Sequence, residues 1–116
     1  MSAITIYHNP RCSKSRNTLT LLKDNSVNPT VVLYLDNPPD TTELKALLRK
    51  LGMTASQLVR RGEEAYKSCG LNKDSDDEEI LVAMVKYPKL IERPIVVKGG
   101  RAVLGRPPEN VLELIR

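Results

Sequence analysis

The sequence predicts an α/β fold in which a βαβ unit and a later ββα segment build one four-stranded mixed sheet, interrupted by an all-helical insertion. Three observations carry this expectation. Two short apolar runs, Ala3–Tyr7 and Thr30–Leu35, flank a helical pattern within the first 35 residues, the spacing of a right-handed crossover unit. From Asp40 to Val85 the sequence reads as three helices, with a polar stretch between Gly62 and Ser75,. After Arg93, two short apolar runs return on either side of paired glycines,. A chain of 116 residues fits a single domain, 1–116, with the insertion at about 38–90,.

In chain order, Ala3-Ile4-Thr5-Ile6-Tyr7 reads as the first strand. A helix then runs from about Cys12 to Asn25, with Leu19, Leu21 and Leu22 as its expected inward face,. Asn25-Ser26 and Asn28-Pro29 punctuate its end,. Thr30–Leu35 is apolar with little alternation, which predicts a strand buried on both faces,. Asp40-Thr41-Thr42-Glu43 has capping-box spacing and leads into Leu44, Leu47, Leu48 and Leu51 at helical intervals, closed by Gly52,. Thr54-Ala55-Ser56-Gln57 repeats the box before a short helix expected to reach Arg61. Ser75-Asp76-Asp77-Glu78 opens a third, through Ile80, Leu81, Met84 and Val85 to Pro88,. Arg93–Val97 resumes the sheet, and Lys98-Gly99-Gly100-Arg101 is a tight-hairpin signal before Ala102–Leu104,. Gly105-Arg106-Pro107-Pro108 turns into a last helix carrying Val111, Leu112 and Ile115, with Pro108 suited to its first turn,. The plan is thioredoxin-like.

Composition excludes several function classes. The apolar fraction is 41%, as in an ordinary globular chain, and neither Trp nor Phe is present, so Leu, Ile and Val must build the interior,. No run approaches the roughly 20 apolar residues that span a bilayer, and Met1-Ser2-Ala3-Ile4 lacks the basic and apolar regions of a secretory leader,. A cytoplasmic location without a membrane partner is therefore expected. The net charge of +4 is uneven: +3 over residues 1–35, −1 over 36–90 and +2 over 91–116. Without interleaved aromatics this does not suit nucleic acid; an excess at the two ends suits a small anion.

The chemistry concentrates in His8-Asn9-Pro10-Arg11-Cys12-Ser13-Lys14-Ser15-Arg16. The order strand, loop, cysteine, helix puts Cys12 where unpaired amides and the helix dipole stabilise a thiolate or an oxyanion. His8, protonated or hydrogen-bonded, would favour that thiolate. The other cysteine, Cys69, is separated from Cys12 by 56 residues, a spacing of neither a paired-thiol motif nor a zinc site, so no metal is expected,. A redox-active Cys12 would then take its resolving thiol from another molecule. Arg93 is held extended before Pro94, and Arg106 sits in a constrained turn after the last strand,. In a βαβ…ββα sheet the loop before Pro94 lies next to the cysteine loop, and guanidinium forks suit tetrahedral oxyanions. Arg60 and Arg61 could equally well complement a helix dipole.

His8-Asn9-Pro10-Arg11-Cys12 with Ser15-Arg16-Asn17-Thr18-Leu19, Leu33-Tyr34-Leu35 before Asn37-Pro38-Pro39, Arg60 after Leu58-Val59, Arg93-Pro94-Ile95-Val96-Val97 and Gly105-Arg106-Pro107 closely resemble the glutaredoxin-linked arsenate reductases. The likeness runs from Ile4 to the C-terminus. It implies a thioredoxin-like fold, Cys12 as nucleophile, His8 favouring its thiolate, an oxyanion set of Arg60, Arg93, Arg106 and Ser15, and a cis bond before Pro94. It also implies arsenate or a similar oxyanion as substrate, no bound cofactor, glutathione as co-substrate and glutaredoxin as partner. Where such enzymes usually carry Gly-Thr after the cysteine, this chain has Ser13-Lys14, the look of a sister branch. Two further functions share the fold: a glutathione-coupled thiol oxidoreductase or sensor, and an RNA-polymerase-binding regulator. The regulators carry Cys-x-x-Cys, and Ser15 occupies its second position. A low-molecular-weight phosphatase would need arginine where Thr18 stands.

Overall fold

Strand β1 (Ile4–His8) sits inside a four-stranded sheet of order β2-β1-β3-β4. It runs parallel to β2 (Thr30–Leu33), with Thr5 opposite Thr30 and His8 opposite Leu33. It runs antiparallel to β3 (Ile95–Lys98), with Tyr7 opposite Ile95, and β3 pairs antiparallel with β4 (Arg101–Leu104). This is the expected βαβ…ββα plan in a computed structural model that describes residues 3–115. The chain divides into two compact units, Met1–Asn37 with Arg93–Arg116, and Pro38–Glu92.

In the sheet unit, helix α1 (Ser13–Asp24) crosses over between β1 and β2. The core is Ile6, Leu22, Val96, Val111 and Leu114, each 2% exposed or less. Two expectations need correction. The buried row of α1 is Ser15, Thr18 and Leu22, while Leu19 and Leu21 are only partly covered. Hydroxyls can occupy that row because each is satisfied: Thr18 Oγ1 donates to Lys14 O at 2.8 Å and lies 3.1 Å from Gly105 O,. Strand β2 is an edge strand rather than one buried on both faces, and Val31 and Leu33 remain 42% and 37% exposed. Its apolar run reflected β propensity, which does not distinguish an edge from a centre. The strand also stops at Leu33, where the amides of Asp36 and Asn37 both turn back to Leu33 O.

The β3–β4 hairpin closes through Gly99, whose φ of 60° is the positive angle the turn requires,. After β4, Pro108–Asn110 forms a 3-10 turn and Val111–Ile115 the last helix, burying Val111 and Leu114.

The second unit is helical. The expected capping box of Asp40 and Glu43 opens α2 (Thr41–Leu51), Gly52 ends it at φ 69°, and Leu44, Leu47 and Leu48 face inward. The box of Thr54 and Gln57 opens α3 (Ala55–Leu58), which stops short of the expected Arg61. The backbone there is drawn into extended pairing instead: Val59 bridges Ile91, Arg60 N–H donates to Leu90 O at 2.7 Å, and Glu92 N–H to Leu58 O at 3.1 Å. Helix α4 (Glu64–Ser68) carries a single buried residue, Ala65, so no apolar stripe announced it,. Asp76, accepting from Glu79 N–H, caps α5 (Asp77–Lys86), which buries Ile80, Leu81, Ala83 and Met84. No helix among the described residues is long and apolar enough to cross a membrane.

Candidate active site

The loop from β1 to α1 is fixed by its own hydrogen bonds. Asn9 is their hub: its side-chain Oδ1 accepts from Arg11 N–H at 3.0 Å, its carbonyl from Cys12 N–H at 3.0 Å, and its N–H donates to Ser15 Oγ at 3.0 Å. Arg16 Nη1 donates to Pro10 O at 2.9 Å and braces the loop from the helix side. The sequence reading gave Asn9 no role of its own. The signal was present, since Asn before Pro is a turn former whose amide oxygen captures a nearby backbone N–H.

Cys12 is the N-cap of α1, with extended backbone at φ −93° and ψ 122°, and keeps 9% of its surface. Burial by itself would raise the thiol's pKa. It is outweighed by the Ser15 N–H, the charge of Arg93, the Lys14 N–H and a hydrogen bond from the Arg93 side chain, so the net shift is downward from 9.0. The helix terminus and one arginine thus act on one sulfur, in the arrangement that favours a thiolate.

The sequence left open whether His8 acts protonated or through a hydrogen bond; the structure pairs it with Ser15 and buries it. It is 6% exposed, and burial first, then the charges of Arg16 and Lys23, lower its pKa from 6.5. The ring is therefore neutral near pH 7. Its Nδ1 lies 2.5 Å from Ser15 Oγ. Asn9 N–H donates to the same oxygen, so the Ser15 hydroxyl ties His8 to the loop that follows β1. Ser15, expected among the oxyanion ligands, has a fully buried hydroxyl committed to His8 and Asn9; it is its backbone N–H that reaches the sulfur.

This histidine makes the sheet unit sensitive to acid. The unfolded chain takes up a proton near 6.5, whereas the folded one resists until lower pH, so the unfolded state binds more protons in between,. The stabilisation is present above 6.5 and is lost as pH falls below it. Urea unfolding followed over a pH series should show the midpoint dropping below pH 6.5, and dropping less in His8→Gln.

Arg93 and Arg106 come from adjoining loops of the same unit. The Arg93–Pro94 bond is cis, as is Arg106–Pro107. Gly105 N–H donates to Pro94 O at 2.9 Å, and Thr18 of α1 lies against Gly105 O, so the two arginine loops and the cysteine helix are joined by hydrogen bonds. Arg60 belongs to the helical unit, where it pairs with Glu63 at 2.5 Å and Glu92 at 3.6 Å. Cys69 is a partly buried free thiol in that unit. No group of three or more His, Cys, Asp or Glu side chains suited to a metal ion occurs among the described residues.

Comparison with known proteins places this geometry. The ArsC family model matches residues 7–114. The chain is 57% identical over 114 residues to an uncharacterized protein of Escherichia coli (strain K12), YfgD, covering 97% of this chain and 96% of that one. It is 46% identical over 113 residues to an arsenate reductase of Neisseria meningitidis (serogroup A), covering 96% and 97%. The solved arsenate reductase of Vibrio cholerae superposes with a TM-score of 0.92 at 47% identity over 97% of each chain. On these matches the chain belongs to the ArsC family.

Proposed function

We propose that the protein is a cytoplasmic arsenate reductase in which Cys12 is the nucleophile and glutathione with glutaredoxin supplies the electrons. The observation that carries this reading is the lowered pKa of Cys12 at the start of α1 with the Arg93 side chain upon it. The arsenate reductases among its relatives support the choice of substrate.

The electrostatic problem is the meeting of two anions. At about 4 Å, two like charges repel by roughly 1 kcal/mol in water and several times that near a protein. Arg93, Arg106 and the α1 amides offset the repulsion and orient the oxyanion. The family resemblance adds Arg60, whose guanidinium already engages two carboxylates, a chemistry arsenate would share. The Cys12 thiolate forms a bond to arsenic while one arsenic–oxygen bond breaks, its oxygen leaving as water. A glutathione thiolate then attacks Cys12 Sγ. The sulfur–arsenic electron pair stays with arsenic, which departs reduced by two electrons as arsenite, and a Cys12–glutathione disulfide remains. A glutaredoxin thiolate takes the glutathionyl group and returns Cys12 to its thiolate. No bound cofactor enters this scheme.

The test is NADPH consumption in a mixture of the protein, glutathione, glutaredoxin and glutathione reductase. Consumption should depend on arsenate and saturate with it. Consumption that proceeds equally without arsenate would transfer the chain to the glutathione-coupled thiol oxidoreductases; none at all would overturn the proposal.

A further inference from the structure

A cavity opens in the sheet unit, at the carboxyl ends of the parallel strands β1 and β2. It measures about 370 Å³ and is lined by His8, Pro10, Arg11, Leu33, Leu35 and Asp36 among others. Ligand sites of α/β sheets gather at such strand ends, and small-molecule cavities begin near about 300 Å³. Three features distinguish it from an incidental dent. One wall is the loop from Asn9 to Cys12, held by the four hydrogen bonds described above, so the shape is preformed,. The opposite wall presents Leu33 and Leu35, 37% and 42% exposed. Between them stand one cation and one anion, Arg11 and Asp36, and among the described residues neither side chain is tied in an ion pair or hydrogen bond. Opposite charges, both exposed to solvent and without a partner among the described residues, on the walls of one preformed cavity match a zwitterion.

We infer that this cavity is the subsite for the thiol co-substrate, taking the γ-glutamyl end of glutathione with its ammonium on Asp36 and a carboxylate on Arg11. The inference rests on the proposed function for the identity of the thiol. Cys12 follows Arg11 on the loop that forms this wall, so a peptide seated here would direct its thiol toward the nucleophile, which Arg93 approaches from the loop before β3. Oxyanion and thiol would thus be held by different residues, and their affinities would vary separately.

Two measurements test this. In the first, S-methylglutathione, which cannot react, is titrated into the whole protein and followed by backbone amide NMR. Shifts should centre on Arg11, Leu35 and Asp36, and the affinity should fall about fivefold or more in Asp36→Asn. In the second, KM for glutathione is compared with KM for an analogue lacking the γ-glutamyl ammonium. Asp36→Asn should raise the first about fivefold and leave the second within about twofold, since the lost charge has no counterpart in the analogue. Shifts elsewhere on the protein, or equal effects on both thiols, would overturn the subsite. Absence of arsenate-dependent turnover would instead strike the proposed function, and the titration would still decide the subsite.

Discussion

Cys12→Ser is expected to reduce arsenate-dependent turnover by about a thousandfold or more while leaving arsenate binding in place. The hydroxyl is close in size to the thiol, so the N-cap position, the Asn9 carbonyl bond and the α1 amides should persist. What disappears is an atom that can be held as an anion near neutral pH. The environment lowers the cysteine's pKa from 9.0 by a combination of amides and a guanidinium; the same environment acting on an alcohol starts from a value far too high to ionise. The coupled NADPH assay reads the loss, and calorimetric titration with arsenate reads the retained binding. A companion measurement on the unmodified protein is alkylation of Cys12 by iodoacetamide across pH. It should titrate below the ordinary thiol range and be slowed by arsenate. Turnover in Cys12→Ser above a few per cent of the parent, with normal folding, would remove Cys12 from the chemistry.

The cysteine was legible in the sequence because its position is a matter of local order. A strand, a loop beginning Asn9-Pro10 and a helix without a competing cap leave Cys12 at the helix start. The capping boxes of α2 and α3 were legible for the same reason, each closing within three residues. Legibility failed where non-local partners decide. Val31 and Leu33 carry the residue types of a central strand, yet only the sheet order places them at an edge. Helix α3 looked able to continue to Arg61, but Leu90 and Ile91, about 30 residues on, claim the backbone of Val59 and Arg60. Ser15 was expected only as an oxyanion ligand and Thr18 had no expected structural part, yet both are buried in α1. Their burial depends on acceptors in β1 and at Gly105, which a helical wheel does not contain. The charge state of His8 is of this kind too. From spacing it could be either protonated or hydrogen-bonded; burial, with Arg16 and Lys23 close by, lowers its pKa and leaves it supporting Ser15.

Arg93→Ala should produce the second-largest effect and separate the two jobs assigned to this arginine. The guanidinium lowers the Cys12 pKa both through its charge and through a hydrogen bond to the thiolate, working against a burial that pushes the other way. Without it the burial remains and the opposing contribution shrinks to the Ser15 and Lys14 amides. The pKa must rise, and at fixed neutral pH the thiolate fraction must fall. In the proposed reaction the same group also receives the oxyanion, so kcat/KM for arsenate should drop by about 10²–10³-fold, the range seen when one preorganised donor is removed. The pH profile of Cys12 alkylation, taken without arsenate, isolates the first job, and its midpoint should move upward. Arg93→Lys divides the effects further. A lysine keeps a positive charge but not the planar fork, so it should restore much of the thiol's acidity and little of the arsenate affinity. An alkylation midpoint that stays put in Arg93→Ala would mean the helix terminus alone holds the sulfur negative, and the arginine would keep only its place among the oxyanion ligands.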